Sequence, residues 1–212
     1  MKKAVRLCCF ALGTALLLAA LFLVLHNVAE DKKGGEQAEL LLDKLKQEIG
    51  EEIPETETMQ TAENYDLYAE YEEETVPEME TVEIDGNIYI GYIAIPALDV
   101  ELPVLSEWSY PNLKLSPCRY VGNLYAGDLI LCAHNYSSHF GRIHELNSGD
   151  EIIFTDVKGK KYRYNVIGIE QHPGTAVEEI KFGNADDWDL TLFTCTLNGQ
   201  SRVTVRAARE EE

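Results

Sequence analysis

Three hydrophobicity regimes follow one another along the chain. From Leu7 to Ala29 no Asp, Glu, Lys or Arg interrupts 23 residues dominated by Leu, Ala, Val and Phe. A bilayer core needs about 20 apolar residues of helix, so this run predicts a transmembrane anchor. The second regime opens with Glu36 to Ile49, where Leu41, Leu45 and Ile49 form one apolar stripe at helical spacing. Next, as far as about residue 82, comes a stretch rich in Glu and Thr, with Pro54 and Pro77 and few aliphatic residues. One-signed charge with little apolar surface predicts a disordered spacer; its tyrosines Tyr65, Tyr68 and Tyr71 are weak candidates for a docking segment.

From Asp85 the period changes to that of strands. The turn Asp85-Gly86-Asn87 introduces Ile88 to Ile95; Val100 to Leu105, Asp128 to Ala133, Glu151 to Val157, Lys161 to Gln171, Leu190 to Thr196 and Arg202 to Ala207 follow. Helical signal is confined to Gly141–Leu146 and Ala176–Ile180. Many short strands at regular spacing predict a closed or nearly closed β-barrel. The expected organisation is therefore a tip and transmembrane anchor over residues 1–29, an acidic juxtamembrane helix and spacer over 30–84, and a β-barrel domain over 85–212.

Charge sharpens this division. The net charge is −19, of which residues 30–85 contribute −16 and residues 86–212 only −6. No basic stripe exists to neutralise phosphates, which argues against a nucleic-acid partner. Lys2, Lys3 and Arg6 precede the apolar run; they predict a cytoplasmic N-terminus, an external remainder and contact with membrane lipid. No convincing small-x-small cleavage site follows the run. Of five cysteines, Cys8 and Cys9 fall within it. Cys118, Cys132 and Cys195 lie beyond it. Three external thiols cannot all pair within the chain. Cys118 and Cys132 are read as buried free thiols rather than a disulfide.

The segment Thr191-Leu192-Phe193-Thr194-Cys195-Thr196-Leu197-Asn198-Gly199-Gln200-Ser201-Arg202 is the most informative. Asn-Gly between two β-prone runs predicts a hairpin with a two-residue type I′ turn. Counting outward, Cys195 faces Arg202, Thr194 faces Val203 and Leu192 faces Val205. The last two pairs form an apolar set suited to the interior, which leaves Cys195 and Arg202 together on the other face. A guanidinium beside a thiol favours the nucleophilic thiolate, and its donors can hold a developing oxyanion. The alternative is a small core cysteine with an arginine passing nearby. His134, at the end of the apolar strand Leu129–Ala133, is the candidate acid–base; His139, His144 and His172 are the other external histidines.

Thr191-Leu192-Phe193-Thr194-Cys195 followed by Arg202 resembles the TLxTC…R signature of sortases. Leu131-Cys132-Ala133-His134-Asn135 is similar to their catalytic-histidine strand, although Cys132 and Ala133 are not the commonest residues there. Ile95-Pro96 and Gly127-Asp128 extend the likeness, which runs from about Gly91 to Ala207. The resemblance implies an eight-stranded barrel. It also implies a transpeptidase that cleaves an LPxTG-like sorting signal on surface proteins and passes the acyl group to an amine, such as a peptidoglycan precursor. Carried over by position, Cys195 is the nucleophile, His134 the acid–base and Arg202 the oxyanion and substrate-orienting group. Thr194 is a substrate-binding residue near the acyl carbon. No cofactor is implied.

Only 17 residues separate His172 from Leu190, too few for the helical insertion of class B sortases. Neither a second membrane segment nor an Asp-Pro-aromatic lid motif is evident, which points to cell-wall anchoring rather than pilin polymerisation. Other readings are a cysteine hydrolase, an L,D-transpeptidase (whose His-Gly-Cys-x-Arg arrangement is lacking), metal binding by Cys132, His134 and Cys195, or an inactive adhesion module. Asp186-Asp187 and Glu178-Glu179 are read as solvated loop charge in preference to a calcium site.

Overall fold

The computed structural model describes residues 2–50, 76–181 and 188–210. The central spacer, with Tyr65, Tyr68 and Tyr71, and the pair Asp186-Asp187 lie outside the described residues.

Helix α1 runs unbroken from Lys2 to Ile49, about 72 Å at 1.5 Å per residue. Its first half leaves Leu16, Phe22 and the other apolar side chains around its whole circumference exposed. It is long and apolar enough to cross a membrane. Its second half packs on the barrel. Ala38 and Leu45 are fully buried and Leu42 nearly so, with Leu41 and Ile49 against the same surface. The stripe expected over residues 36–49 is thus present, but as a continuation of the apolar helix and docked. Lys44 pairs with Asp85 at 2.5 Å and Lys46 with Glu101 at 2.7 Å. The other end of the expected spacer is also tied down: Asn123 donates to the Pro77 carbonyl, Met79 packs on the core, and Lys158 pairs with Glu80. Residues 38–49 and 77–80 thus make contact with the barrel.

Among the described residues nine strands form one sheet: β1 Val82–Ile84, β2 Asn87–Ile95, β3 Val100–Leu105, β4 Cys118–Val121, β5 Leu129–Ala133, β6 Glu151–Asp156, β7 Lys161–Pro173, β8 Leu190–Cys195 and β9 Ser201–Arg209. Their order is β1-β2-β3-β4-β5-β8-β9-β7-β6, and β2 pairs with β6 to close strands β2–β9 into an eight-stranded barrel, with β1 added on β2. Gly91 permits this closure. At φ +141° it lets the two backbones approach so closely that a Cβ there would overlap the Thr155 carbonyl oxygen.

Short helices α2 (Tyr110–Leu115) and α3 (Val177–Lys181) and 3-10 turns at Pro96–Leu98 and Ile143–Glu145 complete the described elements. Ser109 caps α2 by accepting from the Asn112 amide at 3.1 Å. Leu129, Leu131, Ala133, Leu190, Leu192, Val205 and Ala207 fill the interior with Ile93, Phe154 and Tyr164. A second apolar cluster outside this core joins Leu45 of α1 to Tyr89, Leu105, Cys118 and Cys132.

Candidate active site

Strand register brings the site together. In β8–β9 the antiparallel partners are Leu192↔Val205, Thr194↔Val203 and Cys195↔Arg202, the pairing expected from the sequence. The turn that joins them differs. The Gly199 amide bonds the Thr196 carbonyl at 2.8 Å, and at Asn198-Gly199 only Gly199 (φ +70°) has positive φ. A type I′ turn needs positive φ at both central residues, so the chain turns through Leu197-Asn198 instead. Asn198 Oδ1 braces this loop by accepting from Thr196 Oγ1 and the Gln200 amide. Because an even number of residues separates Thr196 from Ser201, the register survives the change of turn.

On the other side, β8 runs parallel to β5, from Leu129↔Leu190 to Ala133↔Thr194. Continued by one residue, this register puts His134 beside Cys195. His134, Cys195 and Arg202 thus lie on one line across three neighbouring strands, all half-buried. The nucleophile candidate has a histidine on one flank and an arginine on the other.

Each member is held differently. Arg202 Nη1 donates to the Gly199 and Ser201 carbonyls, both at 3.1 Å, which fixes the guanidinium at the turn end of the hairpin. Gly174 leaves room for it, since a Cβ there would stand 3.3 Å from Nη1. His134 stacks on Tyr136 with ring centroids 4.8 Å apart and planes 22° apart. Burial, and then the charge of Lys114, hold its imidazole below the ordinary histidine value, which favours the neutral ring at physiological pH. Thr194 points to the interior face, where its buried hydroxyl donates to the Ala133 carbonyl at 2.9 Å. A direct bond to an acyl group, as the resemblance implies for Thr194, would require that hydroxyl to leave Ala133.

Cys118 and Cys132 face each other across β4–β5 as free, buried thiols. Burial pushes the Cys118 thiol up to about 12 and that of Cys132 higher still, so both are protonated and inert beside half-exposed Cys195. Among the described residues no three His, Cys, Asp or Glu side chains group as metal ligands.

Sequence reasoning missed two features. An aromatic row leaves the site along the sheet: Phe193 meets Tyr120 edge-on at 5.2 Å, Tyr120 meets Trp108 at 5.7 Å, and Trp108 meets exposed Tyr110 at 6.0 Å. A cavity of about 370 Å³ between Trp108, Tyr120 and Arg119 lies along it. The second is Arg206, 2% exposed, which shares the Cys195 face because Thr191↔Arg206 and Cys195↔Arg202 alternate with the inward pairs. Its guanidinium donates to Thr191 Oγ1 at 2.8 Å and to the Ile180 and Glu179 carbonyls at 2.8 and 2.6 Å, and stacks over Trp188. It therefore binds the end of α3, whose Lys181 lies over the Tyr120 ring. The alternation in β9 placed Arg206 on that face; a partner 26 residues away in another element gave no sequence signal.

Residues 93–210 match a family model described as the Sortase domain. Sortase A of Bacillus anthracis is 29% identical over 159 residues, covering 68% of this chain and 74% of that protein. Among solved structures, sortase C2 of group B Streptococcus pilus island 1 is 26% identical with a TM-score of 0.51, over 61% of this chain and 77% of that one. Sortase A of Listeria monocytogenes is likewise 26% identical, with a TM-score of 0.50 over 58% and 88%.

Proposed function

The chain belongs to the sortase family, and on that premise we propose that it is a membrane-anchored cysteine transpeptidase whose nucleophile is Cys195. The observation that carries the proposal is the strand register that flanks Cys195 with His134 and Arg202. Residues 7–29 of α1 cross the membrane, with the N-terminus cytoplasmic and the barrel outside.

His134 takes the proton of the Cys195 thiol, and the resulting thiolate adds to the carbonyl of the Thr–Gly bond in an LPxTG-like sorting signal. Negative charge moves to the carbonyl oxygen, and the Arg202 guanidinium stabilises it there. As the carbon–nitrogen bond breaks, His134 gives its proton to the departing glycine amine and a Cys195 thioester remains. An incoming amine, such as that of a peptidoglycan precursor, loses a proton to His134 and attacks the thioester. Cys195 leaves as thiolate and a new amide links surface protein to acceptor. Splitting amide exchange in this way replaces one high barrier by two lower ones. Thr194 contributes by holding β8 to β5 next to the reacting pair. Attachment of surface proteins to the cell wall is the preferred role; the similarity to a sortase C2 of a pilus island supports pilin polymerisation as the second reading.

The test is transfer of an LPxTG-type peptide to oligoglycine by the full chain in detergent micelles. We expect an amine-dependent ligation product that falls by at least ~10³-fold in Cys195→Ala, in line with loss of a covalent nucleophile, and strongly in His134→Ala and Arg202→Ala. Equal turnover by folded Cys195→Ala would refute the assignment. Faster use of a pilin lysine than of oligoglycine would favour the second reading.

A further inference from the structure

His134 opens a loop whose inner side is self-supporting. The Tyr136 carbonyl accepts from the His139 and Gly141 amides, both at 2.9 Å, and Gly141 lies so close to Asn135 that a Cβ would stand 2.5 Å from its carbonyl oxygen. The outer side is held by α1. Asp31 stands two residues beyond the last residue of the apolar run. Its carboxylate accepts from the Ser137 and Ser138 amides at 3.0 and 3.1 Å and from Ser138 Oγ at 2.7 Å; the Asp31 carbonyl accepts a second bond from that hydroxyl at 3.1 Å. Burial alone would raise this carboxyl, but the bonds from Ser138 and Ser137 outweigh it and hold it below its ordinary value.

One turn further along α1 are Gly34 and Gly35. Two glycines inside a helix cost roughly 1 kcal/mol each relative to alanine, yet here they form the contact. A Cβ on Gly34 would lie 3.0 Å from Tyr136 Cδ2 and 3.6 Å from His139 Nε2; one on Gly35 would lie 2.9 Å from Ser138 Cβ. The helix backbone thus presses directly on the loop. Tyr136 is enclosed on three sides: stacked on His134, tilted against buried His139 at 5.3 Å, and backed by Gly34.

We propose that the membrane-proximal half of α1 is a positioning element of the active site, in which Asp31 and the Gly34–Gly35 notch fix Tyr136, and through it the ring of His134. The proposal rests on the reading of His134 as the acid–base of the transpeptidase. It gives Tyr136, Asp31 and Gly34 positioning roles, and it couples the catalytic histidine to the helix that enters the membrane. A histidine that must reach both the leaving and the incoming nitrogen is sensitive to displacement, because a shift of about 1 Å can cost on the order of 100-fold in rate.

The experiment compares full-length wild type, Asp31→Ala, Gly34→Ala, Tyr136→Phe and Tyr136→Leu in detergent micelles. Transfer kinetics are measured across pH, with amide exchange of Ser137 and Ser138 as a readout independent of activity. Expected are a kcat lower by ~10- to 100-fold in Asp31→Ala, Gly34→Ala and Tyr136→Leu with KM within about twofold, faster exchange of both amides in Asp31→Ala, and near-wild-type behaviour of Tyr136→Phe. Loss of the covering ring in Tyr136→Leu also exposes His134 to water, so the histidine limb of its pH profile moves to higher pH. The charged and titratable groups about that ring are Cys195 of β8 with Arg202 of β9 beyond it, Lys114 of α2, Tyr136 and His139 of its own loop, and Glu30 and Asp31 of α1. Faster exchange in Asp31→Ala with unchanged kcat, KM and pH limb would overturn the proposal. If Tyr136→Leu matched wild type, that would overturn it as well. An active wild type with an equally active His134→Ala would remove its premise, which separates failure of the functional reading from failure of the coupling.

Discussion

His139 is fully buried within the loop that follows His134, and its ring nitrogens make no bond of full hydrogen-bond geometry, the Gly34 backbone interacting with the ring only weakly. Burial lowers its imidazole to about 4, so it stays neutral in the folded state while an unfolded chain would protonate it near 6.5. Between these values the unfolded state binds more protons, and stability is lost as pH falls. About 2 kcal/mol is lost by pH 5 from this residue. Urea unfolding at pH 7 and pH 5 should show that drop in wild type and a much smaller one in His139→Leu; the same drop in both would exclude His139 as its source. Asp31 acts in a lower window, because its depressed carboxyl supports the fold above about 3.9 and fails only on further acidification. At this scale Cys195 and Arg202 were legible in the sequence, since a hairpin converts spacing directly into adjacency. Asp31 was not, because its partners are 106 and 107 residues away and no local pattern marks them.

Element α3 has five residues and cannot hold itself together by its own hydrogen bonds; Arg206 supplies partners for its Glu179 and Ile180 carbonyls. Replacing Arg206 by Gln leaves those carbonyls and the Thr191 hydroxyl without a charged donor, and should cost roughly 2–4 kcal/mol. Because α3 carries Lys181 to Tyr120 on the aromatic row, the variant should also raise KM for the sorting peptide more than it lowers kcat. An unaltered urea midpoint and KM would show that α3 docks by other means. Long alternating strands announced themselves: Val100–Leu105 was expected at its observed bounds, and the others within two residues. The expectation failed where elements are short. Four-residue β4 carries a register shift between Arg119 and Val121, three-residue β1 precedes the turn taken as the domain's start, and six-residue α2 rests on a serine cap in a segment of mixed polarity.

For the molecule as a whole, two long-range events shape the site. Barrel closure through β2–β6 depends on the bare backbone of Gly91, a residue that reads in sequence as one more strand position. Docking of α1 depends on Gly34 and Gly35, which resemble a helix breaker and act as a contact surface. The barrel class was readable because alternation and turn chemistry are local; the closeness of α1 to the His134 loop was not, since nothing in the run Glu30–Gly35 names its partner.

The central claim is that Cys195 carries the acyl group, and intact mass followed by peptide mapping of the full chain tests it most directly. The chain is incubated with an LPxTG-type peptide in the absence of an amine acceptor and quenched in acid. The account predicts one acyl adduct, located on the peptide containing Cys195, released by oligoglycine and absent from Cys195→Ala. An adduct on Cys118 or Cys132, or transfer to oligoglycine that proceeds unchanged in Cys195→Ala, would contradict it.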